Sequence, residues 1–348
     1  MQHVAIDLGS IKSQLCVREA DGTIVVQRSS RTLELPALLA SLPPSRVILE
    51  SCAEAVCIGR AAKEAGHDVR VVPATLVHQL GVGYRGIKTD RRDAEALSLA
   101  SCRLELPSIH QRSALARERQ NRLVMRHALV TARTQLVNVV RGWLRIQLLR
   151  IRGGTAETFP RRMRALSEQS GEVLPEYVED LLKSIDTLTT QIARCSAEIE
   201  KEAKSDALCR RLMSVPGVGP ITATAFVSTV DEIGRFAHAE ALESYVGLTP
   251  GENSSSQRVR RTGITKAGPT LLRHVITQAA LVMRRTRPLD PAVQWSEGIW
   301  VRRGKQIAVI ALSRKLVRIL YALWRDGTTY EPKRAAASES ERRAMAAA

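Results

Sequence analysis

The sequence predicts an α/β domain at the N-terminus, an α-helical coiled-coil middle and a mostly α-helical C-terminal domain. Three observations carry that expectation. Short β-rich apolar runs alternate with helix-like runs up to about residue 108, the pattern then turns almost wholly helical to about 205, and from there to about 330 helical stretches are broken by turns rich in Gly and Pro. The expected divisions are therefore 1–108, 109–205 and 206–330. The tail, 331–348, is rich in Ala, Ser, Glu and Arg, a composition that stays disordered.

In the first division the expected strands are Val4 to Ile6, Leu15 to Arg18, Thr23 to Gln27, Val47 to Glu50 and Val69 to Pro73. Asp21-Gly22 supplies a hairpin turn, and Gly66-His67-Asp68 stops a helix ahead of the last strand. Helices are expected over Leu35 to Leu42 and Ala53 to Ala65. Residues 74 to 89, with Gly81, Gly83 and Gly86, are expected to form a mobile loop that leads into a helix from Asp90 to Ala100.

Four acids stand out in this division. Asp7 closes the first apolar run and Glu50 closes Arg46-Val47-Ile48-Leu49, while Asp90 and Asp93, three apart, project from one helix face. Taken singly, each reads as a turn or capping residue. Together they are costly, because an unpaired carboxylate leaving water loses several kcal/mol or is driven neutral. A bound cation removes that cost, and an oxygen-only donor set suits Mg²⁺ (or Mn²⁺), which keeps positions open for water and phosphate. The candidate metal ligands are thus Asp7, Glu50, Asp90 and Asp93.

Charge points to the partner. The chain of 348 residues carries 52 Lys+Arg against 35 Asp+Glu, a net +17, so its natural partner is a polyanion. With aromatics at 3%, phosphate contacts are expected to dominate over base stacking. Six cysteines without a C-x-x-C pair and seven scattered histidines suggest neither a zinc site nor a disulfide framework, as in a reducing cytosol. The start lacks a charged leader with a long apolar stretch, and no eighteen-residue apolar segment follows, so the expectation is a cytoplasmic, nucleoid-associated protein with no membrane span.

From Arg112 to Arg152 there are ten arginines and one acid, Glu118, a bias that favours a nucleic-acid-facing helix with Arg112, Arg119, Arg126 and Arg133 as candidates. Leu174, Val178, Leu181, Ile185, Leu188, Ile192, Cys195 and Ile199 then follow a four-three spacing. Such a heptad seam serves either an intermolecular coiled coil or a helical hairpin within one chain.

The C-terminal division holds two motifs. Val215-Pro216-Gly217-Val218-Gly219-Pro220 ahead of a helix over Ile221 to Val230 resembles a helix-hairpin-helix, where Gly217 and Gly219 would let backbone N–H groups approach a phosphate; a plain helix–helix turn is the alternative. Gly247-Leu248-Thr249-Pro250-Gly251-Glu252-Asn253-Ser254-Ser255-Ser256 leads into Arg258, Arg260, Arg261, Lys266 and Arg273, with eight basic residues and no acid from Arg258 to Arg287. Serine runs usually mean linkers. This one lies between folded-looking elements, ahead of a helix over Thr270 to Met283, which favours a site.

The order Asp7, Glu50, Asp90, Asp93, then the heptad segment, V-P-G-V-G-P and G-L-T-P-G-E-N-S-S-S…R-R-T-G-I-T-K-A-G…L-L-R-H resembles the DEDD transposases of the insertion-sequence 110 family, in its 1111-like branch. The resemblance covers nearly the whole chain except the tail. It implies a RuvC-like (ribonuclease H-like) N-terminal domain, a dimerising coiled coil and a C-terminal transposase domain with a nucleophilic serine. It further implies recombination of donor and target DNA through a phosphoserine link, guided by a structured non-coding RNA, in a homo-oligomer, dimer or tetramer. Aligning on G-L-x-P and G-I-T-K puts Ser255 at the nucleophile position; Ser256 stands where the family usually has glycine, so Ser254 and Ser256 remain open. Competing readings are a RuvC-like hydrolytic junction-resolving nuclease and a non-catalytic nucleic-acid scaffold.

Overall fold

The apolar run near the N-terminus forms β1 (His3–Asp7) of a five-stranded sheet, pairing antiparallel with β2 (Lys12–Arg18) and parallel with β4 (Arg46–Glu50). Outside these lie β3 (Ile24–Arg31), antiparallel to β2, and β5 (Asp68–Val72), parallel to β4, giving the order β3-β2-β1-β4-β5. This computed structural model describes residues 1–79, 89–171, 173–252 and 261–332, and the chain divides into two compact units, Met1–Gln111 and Arg112–Ala348.

Alternation along the strands sorts the first unit into layers. Val4, Ile6, Leu15, Val17, Val47 and Leu49 face α1 (Leu35–Ala40) and α2 (Ala55–Glu64). Ala5, Ile48 and Val72 face the other way, onto Leu97 of α4 (Asp90–Arg103). Thr89 caps α4 by accepting from the Arg92 N–H. Ala74–Gln79 is a short helix, α3, where sequence predicts loop; the expected Gly81, Gly83 and Gly86 lie outside the described residues.

The second unit is built on α5 (Ala114–Ile146) and α7 (Glu176–Ser205), with α6 (Phe159–Ser170) between them. Val137, Val140 and Leu144 of α5 pack with Phe159 and Met163 of α6 and with Val178, Leu182 and Ile185 of α7. Half of the heptad seam, Val178, Ile185, Ile192 and Ile199, is thus buried within the chain, as the intrachain hairpin requires, while Leu174, Leu181, Leu188 and Cys195 are partly exposed. Toward the other end, Leu123 and Ile199 join the core that also holds α8 (Ala207–Leu212) and α9 (Pro220–Val230). The core crosses the division expected near 205, so residues 112 onward form one unit.

α9 is buried from Thr222 to Val230 and serves as the central helix of this unit. Around it lie α10 (Ala239–Val246), a hairpin of β6 (Pro250–Glu252) and β7 (Arg261–Ile264), α11 (Thr270–Thr286), α12 (Pro291–Arg303) and α13 (Lys305–Asp326). Glu243 of α10 is 0% exposed and held by Arg314 and Arg318 of α13, which offsets the cost of burying its charge. Of the expected tail, 333–348 lies outside the described residues.

Candidate active site

Asp7 and Glu50 stand side by side because β1 and β4 are parallel and in register. Ile6 pairs with Leu49, so the next residue of each strand, Asp7 and Glu50, ends its strand at the same edge of the sheet. Ala5 and Ile48, two residues earlier, both face α4, and strand alternation puts the two acids on that face too.

α4 brings Asp93 to the same end. Ser101 Oγ and His3 Nδ1 are hydrogen-bonded at 2.7 Å, and Ser98 Oγ donates to Cys16 Sγ at 3.2 Å, Cys16 being the register partner of Ala5. The helix thus runs antiparallel to β1. One turn back from Leu97, about 6 Å along the helix, matches the roughly 6.6 Å from Ala5 to Asp7 along the strand. Asp93, 3% exposed, therefore lies over the Asp7 end, while Asp90, one turn earlier, is exposed. Three acids come from three elements to one end and one face. Among the described residues no group of three His, Cys, Asp or Glu is gathered around a point that a metal ion could fill. By donor type the carboxylates fit a hard dication.

The arginines expected to face nucleic acid are largely turned inward, which corrects the reading of α5. Arg119, 7% exposed, donates to Glu202 at 2.8 Å and Asp206 at 2.7 Å. Arg126 donates to Ser196 at 2.7 Å, and Arg133, 6% exposed, reaches Thr189 at 3.3 Å and Glu157 at 2.8 Å. α7 supplies most of these acceptors, so the charges bind the hairpin together. Arg112 is half-buried, whereas Arg122, Arg141 and Arg145 are exposed on α5.

Gly217 also has an internal role. It adopts φ +85°, and a Cβ there would run into Ala279 O and lie 2.8 Å from Met283 N, so glycine is needed for the turn to sit on α11. Gly219, the N-cap of α9, has open space around it. A turn between two helices is present; its packing on α11 accounts for Gly217 without a phosphate.

The serine motif falls between β6 and β7. Glu252 pairs with Arg261 and Pro250 with Ile264; the intervening 253–260, which contain Ser254, Ser255, Ser256, Arg258 and Arg260, lie outside the described residues. The root of the hairpin is tightly built. Gly247 and Gly268, both at positive φ, let the end of α10 cross residues 267–268, where a Cβ on either would strike backbone. Arg273 donates to Val246 O and Ala267 O, each at 2.9 Å, so it secures that root. Lys266 is exposed beside it with a left-handed φ of 55°.

A further group was not singled out by sequence. Lys12, Arg28 and Arg31 line an open groove of about 480 Å³, and only the register of β2 and β3 brings them together.

Residues 209–293 match the family described as Transposase IS116/IS110/IS902 family, and residues 4–147 match the transposase domain DEDD_Tnp_IS110. The chain is 29% identical over 338 residues to a probable family 20 transposase of Pseudomonas aeruginosa, spanning 95% of this chain and 99% of that protein. It is 26% identical over 334 residues to the transposase for insertion sequence element IS1111A of Coxiella burnetii (94% and 90%), and 26% over 336 residues to the transposase for insertion sequence element IS1328 of Yersinia enterocolitica (94% and 98%). Among the described residues no helix is long and apolar enough to cross a membrane. With both the acid-bearing unit and the region around the serine motif matched, the chain belongs to the IS116/IS110/IS902 transposase family, enzymes that cleave and rejoin DNA.

Proposed function

We propose that this insertion-sequence transposase cuts DNA at the sheet end carrying Asp7, Glu50 and Asp93, with Asp90 completing a DEDD set in a RuvC-like domain, and that Ser255 holds the cut strand covalently. The observation that carries the reading is the parallel pairing of β1 with β4, which ends two strands in adjacent carboxylates beneath the Asp93 turn of α4. These residues would hold Mg²⁺ or Mn²⁺. The bound dication would neutralise charge on a phosphodiester and favour loss of a hydroxyl proton.

The remaining chemistry belongs to the chain. Ser255 Oγ forms a bond to phosphorus as the bond to the leaving deoxyribose oxygen breaks; the serine proton is lost and the leaving oxygen takes one up. A second strand's hydroxyl reverses the step, so the number of phosphodiesters is conserved and no nucleotide cofactor is consumed. Arg258, Arg260 and Arg261 would clamp the phosphate by forked hydrogen bonds. The guide RNA and a homo-oligomer belong to the same proposal on the strength of the family resemblance alone.

Asp7→Asn, Glu50→Gln and Asp93→Asn are each expected to abolish strand exchange while leaving DNA affinity near wild type, because they remove donors and no cation. Cutting at the wild-type rate by any two of them in a strand-cleavage assay would remove the proposed site.

A further inference from the structure

We propose that the groove at the β2–β3 end of the first unit binds backbone phosphates of the DNA strand on which the acids act; this rests on the reading of Asp7, Glu50 and Asp93 as the cutting site. The register places it. Gln14 pairs with Asp7 on one side and Ser29 on the other, while Lys12 pairs with Arg31. Lys12 and Arg31 therefore stand on the same face as Asp7, toward the same end of the sheet. Arg28, opposite Leu15, stands on the other face, so the cations wrap around the edge strand β3. From β1 to β3 is two strand spacings, about 10 Å, which is about three nucleotides of rise along one DNA strand.

Charge is concentrated in the groove: three cations line it, whereas Lys63, Arg91 and Arg103, which also have no ion pair among the described residues, do not. Arg18, Arg46, Arg60 and Arg70 of the same unit each pair with a carboxylate. Lys12, Arg28 and Arg31 have no ion pair among the described residues, and Glu34 is the single acid lining the groove. Ser29 and Ser30 add hydroxyl donors. Leu38 is the single apolar side chain of the lining, too little for the walls of a small-molecule pocket, and forked guanidinium groups on an open surface match phosphate oxygens. Among the described residues the neighbouring ends of β4 and β5 are followed by Ser51, Cys52 and Pro73. A strand leaving the acids meets cations on the β2–β3 side.

The test uses the full chain in chelator, so that binding is read without cutting. Affinity for a labelled single-stranded DNA is measured against salt for wild type, for Lys12→Gln/Arg28→Gln/Arg31→Gln, for each single substitution, and for Arg28→Lys/Arg31→Lys. The triple variant is expected to flatten the log K versus log salt slope by about 1.4–2.1, each single by about 0.7, and the lysine pair not at all. These side chains are exposed and unpaired, and the single variants carry the test should the triple misfold. An unchanged slope in the triple and the singles overturns the proposal. So does a loss seen with RNA of the same sequence but not with DNA. Cutting by Asp7→Asn, assayed separately with metal, reads the acid site, so a failure there leaves the slope result to be judged alone.

Discussion

At the scale of single residues, burial decides which of two roles a charge or a glycine plays. Arg119 was legible as an arginine on a basic helix but not as an internal one, because its partners Glu202 and Asp206 are more than eighty residues away in sequence. Arg119→Ala is expected to lower stability by about 2–4 kcal/mol, since it strands two part-buried carboxylates, and to leave the salt slope of DNA binding unchanged; a flattened slope with full stability would restore the nucleic-acid role. Burial alone would raise Asp206, yet the Cys209 N–H and the Arg119 guanidinium outweigh it and hold the carboxyl below its ordinary 3.8. A depressed folded value means stability that is present above the ordinary value and lost as pH falls through the folded one. Denaturation followed from pH 5 downward should therefore show a smaller acid-induced loss in Arg119→Ala than in wild type. Gly217 and Gly219 offer a paired test. Gly217→Ala should cost at least about 2 kcal/mol from its left-handed backbone and clash with α11, whereas Gly219→Ala should cost about 1 kcal/mol or less. Similar losses in thermal unfolding would argue against the packing role.

At the scale of elements, what depends on nearest neighbours in sequence was readable and what depends on partners was not. The five strands of the first sheet overlap the runs that predict them, though β3 continues past Gln27 to Arg31, and α9 and α11 occupy the helices expected over Ile221 to Val230 and Thr270 to Met283. α3 was missed because Ala74 to Gln79 is short and sits beside three glycines, so loop composition outweighs one turn and a half of helix. The α7 heptads were legible, but a seam does not name its partner; α5 and α6 cover its Val178 and Ile185, together with Leu182 beside the seam. Leu182→Ala is accordingly expected to cost about 2–5 kcal/mol as a core truncation, with an unfolding midpoint independent of protein concentration. A midpoint that rises with concentration in wild type and not in the variant would return the seam to an intermolecular coil.

At the scale of the whole molecule, the two motif sets lie in different units, and each explains only half of a cut-and-rejoin reaction. Asp7 and Glu50 were legible each as the acid that closes an apolar strand, and the register of β1 with β4 supplied the adjacency that spacing in sequence could not. The serine was legible only through the resemblance, since a serine run by itself reads as linker. What separates a transposase using a covalent link from a nuclease using water is therefore an experiment on Ser255. A hydroxyl attacking phosphorus leaves the protein attached to DNA, whereas water leaves two free ends. Ser255→Ala is expected to eliminate strand transfer and any protein–DNA adduct that survives a denaturing gel, while Ser254→Ala and Ser256→Ala keep part of each. Asp7→Asn should also lose the adduct, but for want of a metal ligand, so its DNA affinity and its fold should match those of Ser255→Ala. Peptide mapping of a trapped adduct fixes the register: phosphate on Ser254 or Ser256 moves the nucleophile by one position, and an active enzyme that yields no adduct makes water the attacking group.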